Sequence, residues 1–147
     1  MKRAFQDLRL QMTPSDLIGK FEKDFDALNE DLKEQYLKNA ALITSKASEL
    51  LSAYGKEAAI TSGWRPLSYN LQVGGSKNSK HITMQAVDLW DPEKKLGEWC
   101  VANIERLKEV GIYMESLATT HASSDPKKRW VHWQCVAPKS GSIIFNP

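Results

Sequence analysis

The sequence has few of the features that build disulfide frameworks, membrane spans or nucleic-acid sites. Its 147 residues include two cysteines, too few for a disulfide framework or a cysteine-rich zinc site. No apolar run approaches the ~20 residues that a membrane span needs. Twenty basic and eighteen acidic residues are mixed along the chain, and no Lys/Arg cluster stands apart. We therefore expect a protein that binds neither membranes nor nucleic acid.

The overall composition is that of one soluble domain. Apolar residues make up 41% and charged residues 26% of the chain, close to the averages for globular proteins. A chain of this length buries about two-thirds of its unfolded surface, enough for a core of its own. Residues 1–16 lack an unbroken apolar stretch and a small-residue cleavage site, so we expect no secretory signal and synthesis in the cytoplasm.

Glycine is nearly absent before position 55, and the apolar residues in that part recur at helical spacing. Thr13-Pro14-Ser15-Asp16 is a capping sequence, and apolar residues follow it at steps of three and four up to Leu28. A second helix is predicted from about Asn29 to Tyr54, ended by Gly55. Residues 1–55 are therefore predicted to be a helical segment that packs on the rest of a single domain.

After Gly55 the pattern changes to short strands and turns. The predicted strands are Ala58–Thr61, Ala86–Trp90, Ile112–Glu115, Trp130–Gln134 and Ile143–Phe145. A helix is predicted from about Glu93 to Val110, and a long polar loop from 118 to 129. Helices gather at one end of the chain and strands at the other, which indicates an α+β fold with its core in residues 56–147.

All three histidines lie in the second half of the chain, and two of them accompany a strand aspartate. His81 follows a loop rich in glycine and serine, Asp88 lies seven residues later on a strand, and His132 is central in another. Strand alternation places Asp88 and Trp90 on one face, and His132 and Gln134 on one face of theirs. Two imidazoles and a carboxylate with an open fourth position form the ligand set of a catalytic zinc site. A strand histidine is nevertheless more often a core residue than a ligand.

The residues around these candidates form an ordered series of motifs. Ser62-Gly63-Trp64-Arg65 comes first, Ser79, His81, Ala86 and Asp88 then fall in the register S-x-H-x-x-G-x-A-x-D, and His132 follows on a late strand. From about Ala58 to the C-terminus, the series resembles the zinc D-alanyl-D-alanine carboxypeptidase and L-alanyl-D-glutamate endopeptidase family of the hedgehog/DD-peptidase fold.

That resemblance implies a small antiparallel sheet with flanking helices, and a zinc peptidase that cleaves D-amino-acid-containing bonds of bacterial peptidoglycan. It implies Zn²⁺ held by His81, Asp88 and His132, with Arg65 binding the oxyanion or a substrate carboxylate. Ser79 within the motif and Trp90 beside it are predicted to contact the substrate. The expected setting is a phage-type lytic enzyme, released to the cell wall by lysis or carried in a phage particle.

Two positions depart from the family's pattern. Met84 stands where the second motif has glycine, so the turn before Asp88 must be built differently or lack a positive φ. Arg129 and Trp130 stand where the family carries its catalytic glutamate or a second histidine, and neither side chain is a base. A zinc hydrolase needs a base to take a proton from water and pass it to the leaving amine.

Three residues are candidates for that base. Glu115 ends a predicted strand and shares one face of it with Tyr113, while His121 and Asp125 lie in the loop that leads to His132. If none of them acts, the alternative is a non-catalytic metal- or peptidoglycan-binding module, part of a phage particle, whose N-terminal helices suit assembly with a partner. A third hypothesis is a helical interaction protein in which the His/Asp pattern is fortuitous.

Overall fold

The computed structural model describes residues 11–147, so the first ten residues of the predicted segment 1–55 lie outside the described residues. Helix α1 (Pro14–Ile18), a 3₁₀ turn (Gly19–Phe21) and helix α2 (Glu22–Asp26) precede the long helix α3 (Glu30–Tyr54). No helix of the described chain is long and apolar enough to cross a membrane.

The ends of the first helices follow the predicted capping signals. Thr13 and Asp16 form a reciprocal capping box at the start of α1, since each side chain accepts a hydrogen bond from the other's backbone N–H. Asn29 caps α3, and Gly55 ends it in the left-handed conformation, with φ 84°. The single helix expected between positions 14 and 28 is instead broken at Gly19, whose φ is 50°.

The remaining elements alternate between strands and short helices. They are β1 (Ile60–Ser62), α4 (Leu67–Gln72), β2 (Ala86–Trp90), α5 (Lys95–Ala102), α6 (Ile104–Val110), β3 (Tyr113–Glu115), α7 (Leu117–Thr120), a 3₁₀ turn (Pro126–Lys128), β4 (Trp130–Gln134) and β5 (Ile144–Phe145). The helix predicted from Glu93 to Val110 is two helices, because the backbone leaves helical geometry at Asn103.

The strands form one five-stranded sheet in the order β1-β2-β4-β3-β5. The pairs β1–β2, β2–β4 and β3–β4 are antiparallel, whereas β5 runs parallel to β3. The predicted α+β class with a small sheet is confirmed, and the parallel edge strand is an addition to the expected antiparallel pattern. Because β2 and β4 are central, the side chains they share on one face are held by strands paired on both sides.

The N-terminal helices share one hydrophobic core with the sheet. Leu17 of α1 and Ile43 of α3 are buried in the same cluster as Val87 and Trp133. The backbone of Gly63 lies so close to α1 that a Cβ there would be 2.4 Å from the carbonyl oxygen of Leu17. Helix α1 therefore packs directly against the chain that follows β1, which a side chain at position 63 would prevent.

The turn before β2 keeps a positive φ although its residue is not glycine. Met84 has φ 58° and its side chain is fully buried. Of the two alternatives for this turn, the one without a positive φ is therefore excluded. The left-handed conformation costs a non-glycine residue about 1–2 kcal/mol, and full burial of a methionine side chain contributes about 1.5–3 kcal/mol, which offsets that cost.

Candidate metal centre and active site

The register of β2 and β4 places two of the predicted ligands directly opposite each other. Asp88 pairs with His132 across the two strands, and both side chains are buried on the same face of the sheet. His132 Nδ1 lies 2.8 Å from Asp88 Oδ1. The antiparallel pairing therefore brings together two side chains that are 44 positions apart in the sequence.

His81 joins this pair from the loop before β2. Its Nε2 lies 3.2 Å from Asp88 Oδ1, and its ring centroid is 5.2 Å from that of His132. Its other nitrogen, Nδ1, donates a hydrogen bond to the backbone carbonyl of Gly63 at 2.8 Å. One ligand atom from each of His81, Asp88 and His132 lies within 4.8 Å of the others, and we call these three residues the Asp88 cluster.

The hydrogen bonds around the Asp88 cluster direct electron pairs inward. The Gly63 carbonyl can only accept, so a neutral His81 has its lone pair on Nε2, and that buried atom has no hydrogen-bond partner among the described residues. A lone pair that faces a carboxylate is repulsive unless a cation, either a proton or a metal ion, lies between them. Zn²⁺ binds imidazole nitrogen and carboxylate oxygen, so this donor set fits the ion.

Gln134 fixes His132 in the same way from the other side. The Gln134 side-chain Nε2 donates to the Val136 carbonyl at 2.8 Å. Its Oε1 is thereby turned to His132 Nε2, also at 2.8 Å, which must then be the donor. The Nδ1 of His132 is left to face Asp88. Partners of this kind set the tautomer and orientation of metal-ligating histidines, and the sequence reasoning had not assigned this role to Gln134.

Charge within the cluster shifts the pKa of two groups in opposite directions. Burial by itself opposes the charged form of Asp88, but the adjacent His81 and His132 hold the pKa of this carboxyl well below its ordinary range. Burial by itself lowers the pKa of His132, yet the contact with Asp88 and its charge outweigh burial, so the net pKa shift is upward. Without a metal ion, a proton on Nδ1 of His132 takes the position that faces Asp88. The carboxylate is thus kept ionised and attracts positive charge to this position.

Arg65 lies beside the Asp88 cluster and is held in place by several contacts. Its Nε donates to Ser62 Oγ at 2.7 Å and its Nη1 to Asn70 Oδ1 at 3.2 Å. Its Nη2 is 3.5 Å from Asp88 Oδ2. The guanidinium is therefore held in place next to the candidate metal position, while its role toward the substrate stays a prediction.

Glu115 reaches the neighbourhood of the cluster through the sheet. Tyr113 pairs with Gln134 and Met114 with Trp133, so the next step of the register sets Glu115 opposite His132. Burial raises the pKa of the half-buried Glu115 carboxyl, and the charges of His132 and Asp88 act on it with opposite signs. Of the three candidate bases, Glu115 is the one the structure sets beside the cluster.

The other two candidate bases lie in different surroundings. His121 is buried against Asp91, with its Nε2 donating to Asp91 Oδ2 at 2.8 Å. Asp125 caps the 3₁₀ turn after it by accepting a hydrogen bond from the Lys127 N–H at 3.0 Å. Arg129 donates to three backbone carbonyls and fixes the loop before β4. His121 and Asp125 thus have structural partners away from the Asp88 cluster.

The two residues predicted to contact substrate have local partners of their own. The Ser79 hydroxyl accepts a hydrogen bond from the His81 N–H at 3.2 Å, so it supports the loop that presents His81. Trp90 is partly exposed, donates to the Lys127 carbonyl, and lines a different cleft from Arg65. Substrate contact by Ser79 and by Trp90 stays a prediction.

Comparison with protein families identifies one match. The family model described as Peptidase M15 matches residues 14–123, about three-quarters of the chain. The match begins at α1, and therefore includes helices that the motif resemblance left unassigned. It includes Arg65, His81 and Asp88, and it ends before His132. Searches of curated proteins and of solved structures returned no match.

Proposed function

Because the chain belongs to the peptidase M15 family, we propose that it is a zinc-dependent peptidase that cleaves D-amino-acid-containing bonds of bacterial peptidoglycan. The observation that supports this most is the Asp88 cluster, in which two imidazoles and a carboxylate turn their lone pairs to a common position. His81, Asp88 and His132 would hold the ion and leave a fourth position open. Bound zinc would polarise the scissile carbonyl and lower the pKa of water.

Arg65 supplies a fixed positive charge at this site. A guanidinium stays ionised at every relevant pH and offers planar, two-pronged donation. Its contacts with Ser62 and Asn70 position it through uncharged acceptors, and its carboxylate neighbour, Asp88, is shared with the candidate metal position. We assign to Arg65 the binding of the carbonyl oxygen as it becomes negative, or of a carboxylate on the substrate.

Glu115 is our candidate for general base and acid. Peptide hydrolysis needs a group that takes a proton from water and then delivers it to the leaving nitrogen. The raised pKa of Glu115 brings its carboxyl closer to the range in which both transfers are feasible. In this proposal Glu115, on β3 beside β4, takes the role of the glutamate that the resemblance implies three residues before the last histidine, where this chain has Arg129.

Digestion of purified peptidoglycan tests this proposal. The zinc-loaded protein should release new amino termini, and Glu115→Gln should lower the rate at least ~100-fold while it holds zinc normally. The exposed Glu105→Gln is a matched control, because it makes the same chemical change on α6, and it should leave the rate unchanged. If the unmodified, zinc-loaded protein releases no amino termini, the non-catalytic binding module becomes the better reading.

The setting of the enzyme is a further part of the proposal. Peptidoglycan peptide is the proposed partner, and action at the cell wall follows from that substrate. The phage-type setting stays a prediction.

A further inference from the structure

A cleft of about 630 Å³ adjoins the candidate active site on the side of the N-terminal helices. One wall is the segment of α1 and the 3₁₀ turn from Asp16 to Phe21, and the other runs from β1 through Arg65 to the loop at Gly74 and Gly75. Arg65 and Gly63 belong both to this cleft and to the surroundings of the Asp88 cluster. A ligand bound here would therefore lie against the same guanidinium that faces the Asp88 cluster.

The wall formed by the loop is rigidly joined to Arg65. Asn70 is fully buried, accepts from Arg65 Nη1 and donates from its side chain to the Ser76 carbonyl at 2.6 Å. Gly75 packs against the same side chain so closely that a Cβ would lie 2.4 Å from Asn70 Oδ1. The loop and the guanidinium are therefore held at a fixed spacing.

The opposite wall carries a second cation. Lys20 Nζ lies 5.2 Å from the ring centroids of both Phe21 and Tyr69, a position that cation–π attraction favours. Within residues 11–147, no carboxylate lies within 4.0 Å of this ammonium. The acidic residue of the cleft, Asp16, is engaged in capping α1 through its Oδ2. Lys20 and Arg65 together with Asp16 give the residues that line the cleft a net charge of +1, and of the two cations Arg65 also lies 3.5 Å from Asp88 Oδ2.

We propose that this cleft is a substrate subsite for an acidic peptide, with Lys20 binding a carboxylate beyond the one that faces Arg65. The inference rests on the proposed function, since it takes the cleft's ligand to be the extension of the peptide that is cut. The N-terminal helices, for which the sequence showed no catalytic pattern, then form one wall of the substrate site. Lys20 is a specificity residue in this scheme and takes no part in the chemical step.

Calorimetric titration with two peptides tests the subsite. The first probe is L-Ala-γ-D-Glu-L-Lys-D-Ala-D-Ala, and the second is the same peptide with the glutamate α-carboxyl amidated. All proteins are zinc-loaded and carry Glu115→Gln, so that cleavage does not interfere. Adding Lys20→Gln should raise the Kd of the acidic peptide about two- to fivefold, as for loss of an exposed ion pair. The Kd of the amidated peptide should not change.

Lys23→Gln is the matched control, because Lys23 is exposed, lies three residues along the chain and does not line the cleft. It should leave both dissociation constants unchanged. The subsite is wrong if the Glu115→Gln protein binds the acidic peptide equally tightly with and without Lys20→Gln. It is also wrong if the Glu115→Gln protein does not bind that peptide at all. Lys20-dependent binding without cleavage by the unmodified protein would support the subsite and overturn the peptidase. Cleavage by the unmodified protein, together with a Kd that Lys20→Gln does not change, would support the peptidase and overturn the subsite.

Discussion

Two buried aspartates three residues apart, Asp88 and Asp91, each contact histidine but have different surroundings. Asp91 accepts hydrogen bonds from the backbone N–H groups of Leu96 and Gly97, at 3.0 and 2.8 Å, and from His121. Asp88 contacts two imidazoles and faces a guanidinium, and within residues 11–147 no backbone N–H donates to its side chain. The Asp91 carboxylate is therefore hydrogen-bonded within the fold, whereas the Asp88 carboxylate can bind a cation.

Both sites consist of aspartate and histidine, so the residue types do not distinguish them. The hydrogen-bond partners of each aspartate distinguish the structural Asp91–His121 pair from the candidate metal centre. Asp91 connects the first turn of α5 to the end of α7. The His121 ring lies so close to Gly97 that a Cβ at position 97 would be 2.5 Å from it. In the Asp88 cluster, by contrast, acceptors outside the centre occupy the outer nitrogens of both histidines. The inner nitrogens, His81 Nε2 and His132 Nδ1, then face the shared Asp88 carboxylate.

The largest expected effect is on zinc content. Asp88→Ala should abolish zinc binding at micromolar zinc, because it removes the central ligand of the Asp88 cluster, and His132→Ala should do the same. Asp91→Ala should retain one zinc per chain. Metal analysis of the purified variants measures both, with circular dichroism as the check on folding. Full zinc content in His132→Ala would break the comparison.

Activity should respond next to the cation beside Asp88. Arg65→Lys keeps the charge but loses planar donation, so peptidoglycan cleavage should fall about 10–1000-fold with zinc content unchanged. Arg129→Lys makes the same change on the side of Asp91, where the guanidinium donates to backbone carbonyls. Its turnover should be normal. Equal rates for the two variants would remove Arg65 from the site.

Zinc affinity should depend on the hydrogen bond that fixes His132. Gln134→Leu removes the acceptor of His132 Nε2 and should weaken zinc binding about 10–100-fold. Gln134→Glu keeps an acceptor and should restore most of the affinity. Competition with a chelator of known affinity gives the dissociation constants. An unchanged constant in Gln134→Leu would show that the rest of the sheet positions this ring.

The smallest expected effect is the stability change at Asp91. Asp91→Ala leaves the first N–H groups of α5 without their acceptor, which should lower the free energy of unfolding by about 1–2 kcal/mol. Urea denaturation of the zinc-loaded protein measures this change, with the exposed Glu93→Ala as the nearby control. A loss of stability that appears only when zinc is removed would connect Asp91 to the metal centre and undo the distinction.

Much of the fold could be predicted because local signals decide it. The bounds of β2 and β4 agree with the predicted Ala86–Trp90 and Trp130–Gln134, and the ends of α3 follow from Asn29 and Gly55. Strand alternation also placed Asp88 and His132 on usable faces. These features depend on backbone geometry and side-chain periodicity over a few residues, which the chain itself encodes.

The assignment of the base shows where local signals stop. The sequence leaves both Glu115 and His121 as candidates, with Glu115 preferred, because a strand-end glutamate and a loop histidine are both polar groups near the metal ligands in sequence. Only the packing of α5 against α7 buries His121 on Asp91, and only the β3–β4 register sets Glu115 opposite His132. Strand register depends on contacts across the whole sheet, so it could not be obtained from either strand alone.

The sequence by itself determined the α+β class, the main helix and strand positions, the motif resemblance, and the residue types of the Asp88 cluster. The tertiary structure decided which aspartate keeps free lone pairs, that Met84 takes a left-handed turn, and that α1 and Lys20 form a wall of the cleft. The physical reason is the sequence separation over which each kind of interaction acts. Helix caps and side-chain periodicity act within a few residues. The ligands of a metal centre are oriented by hydrogen bonds to backbone and side-chain acceptors that are distant in the sequence, so they depend on the whole fold.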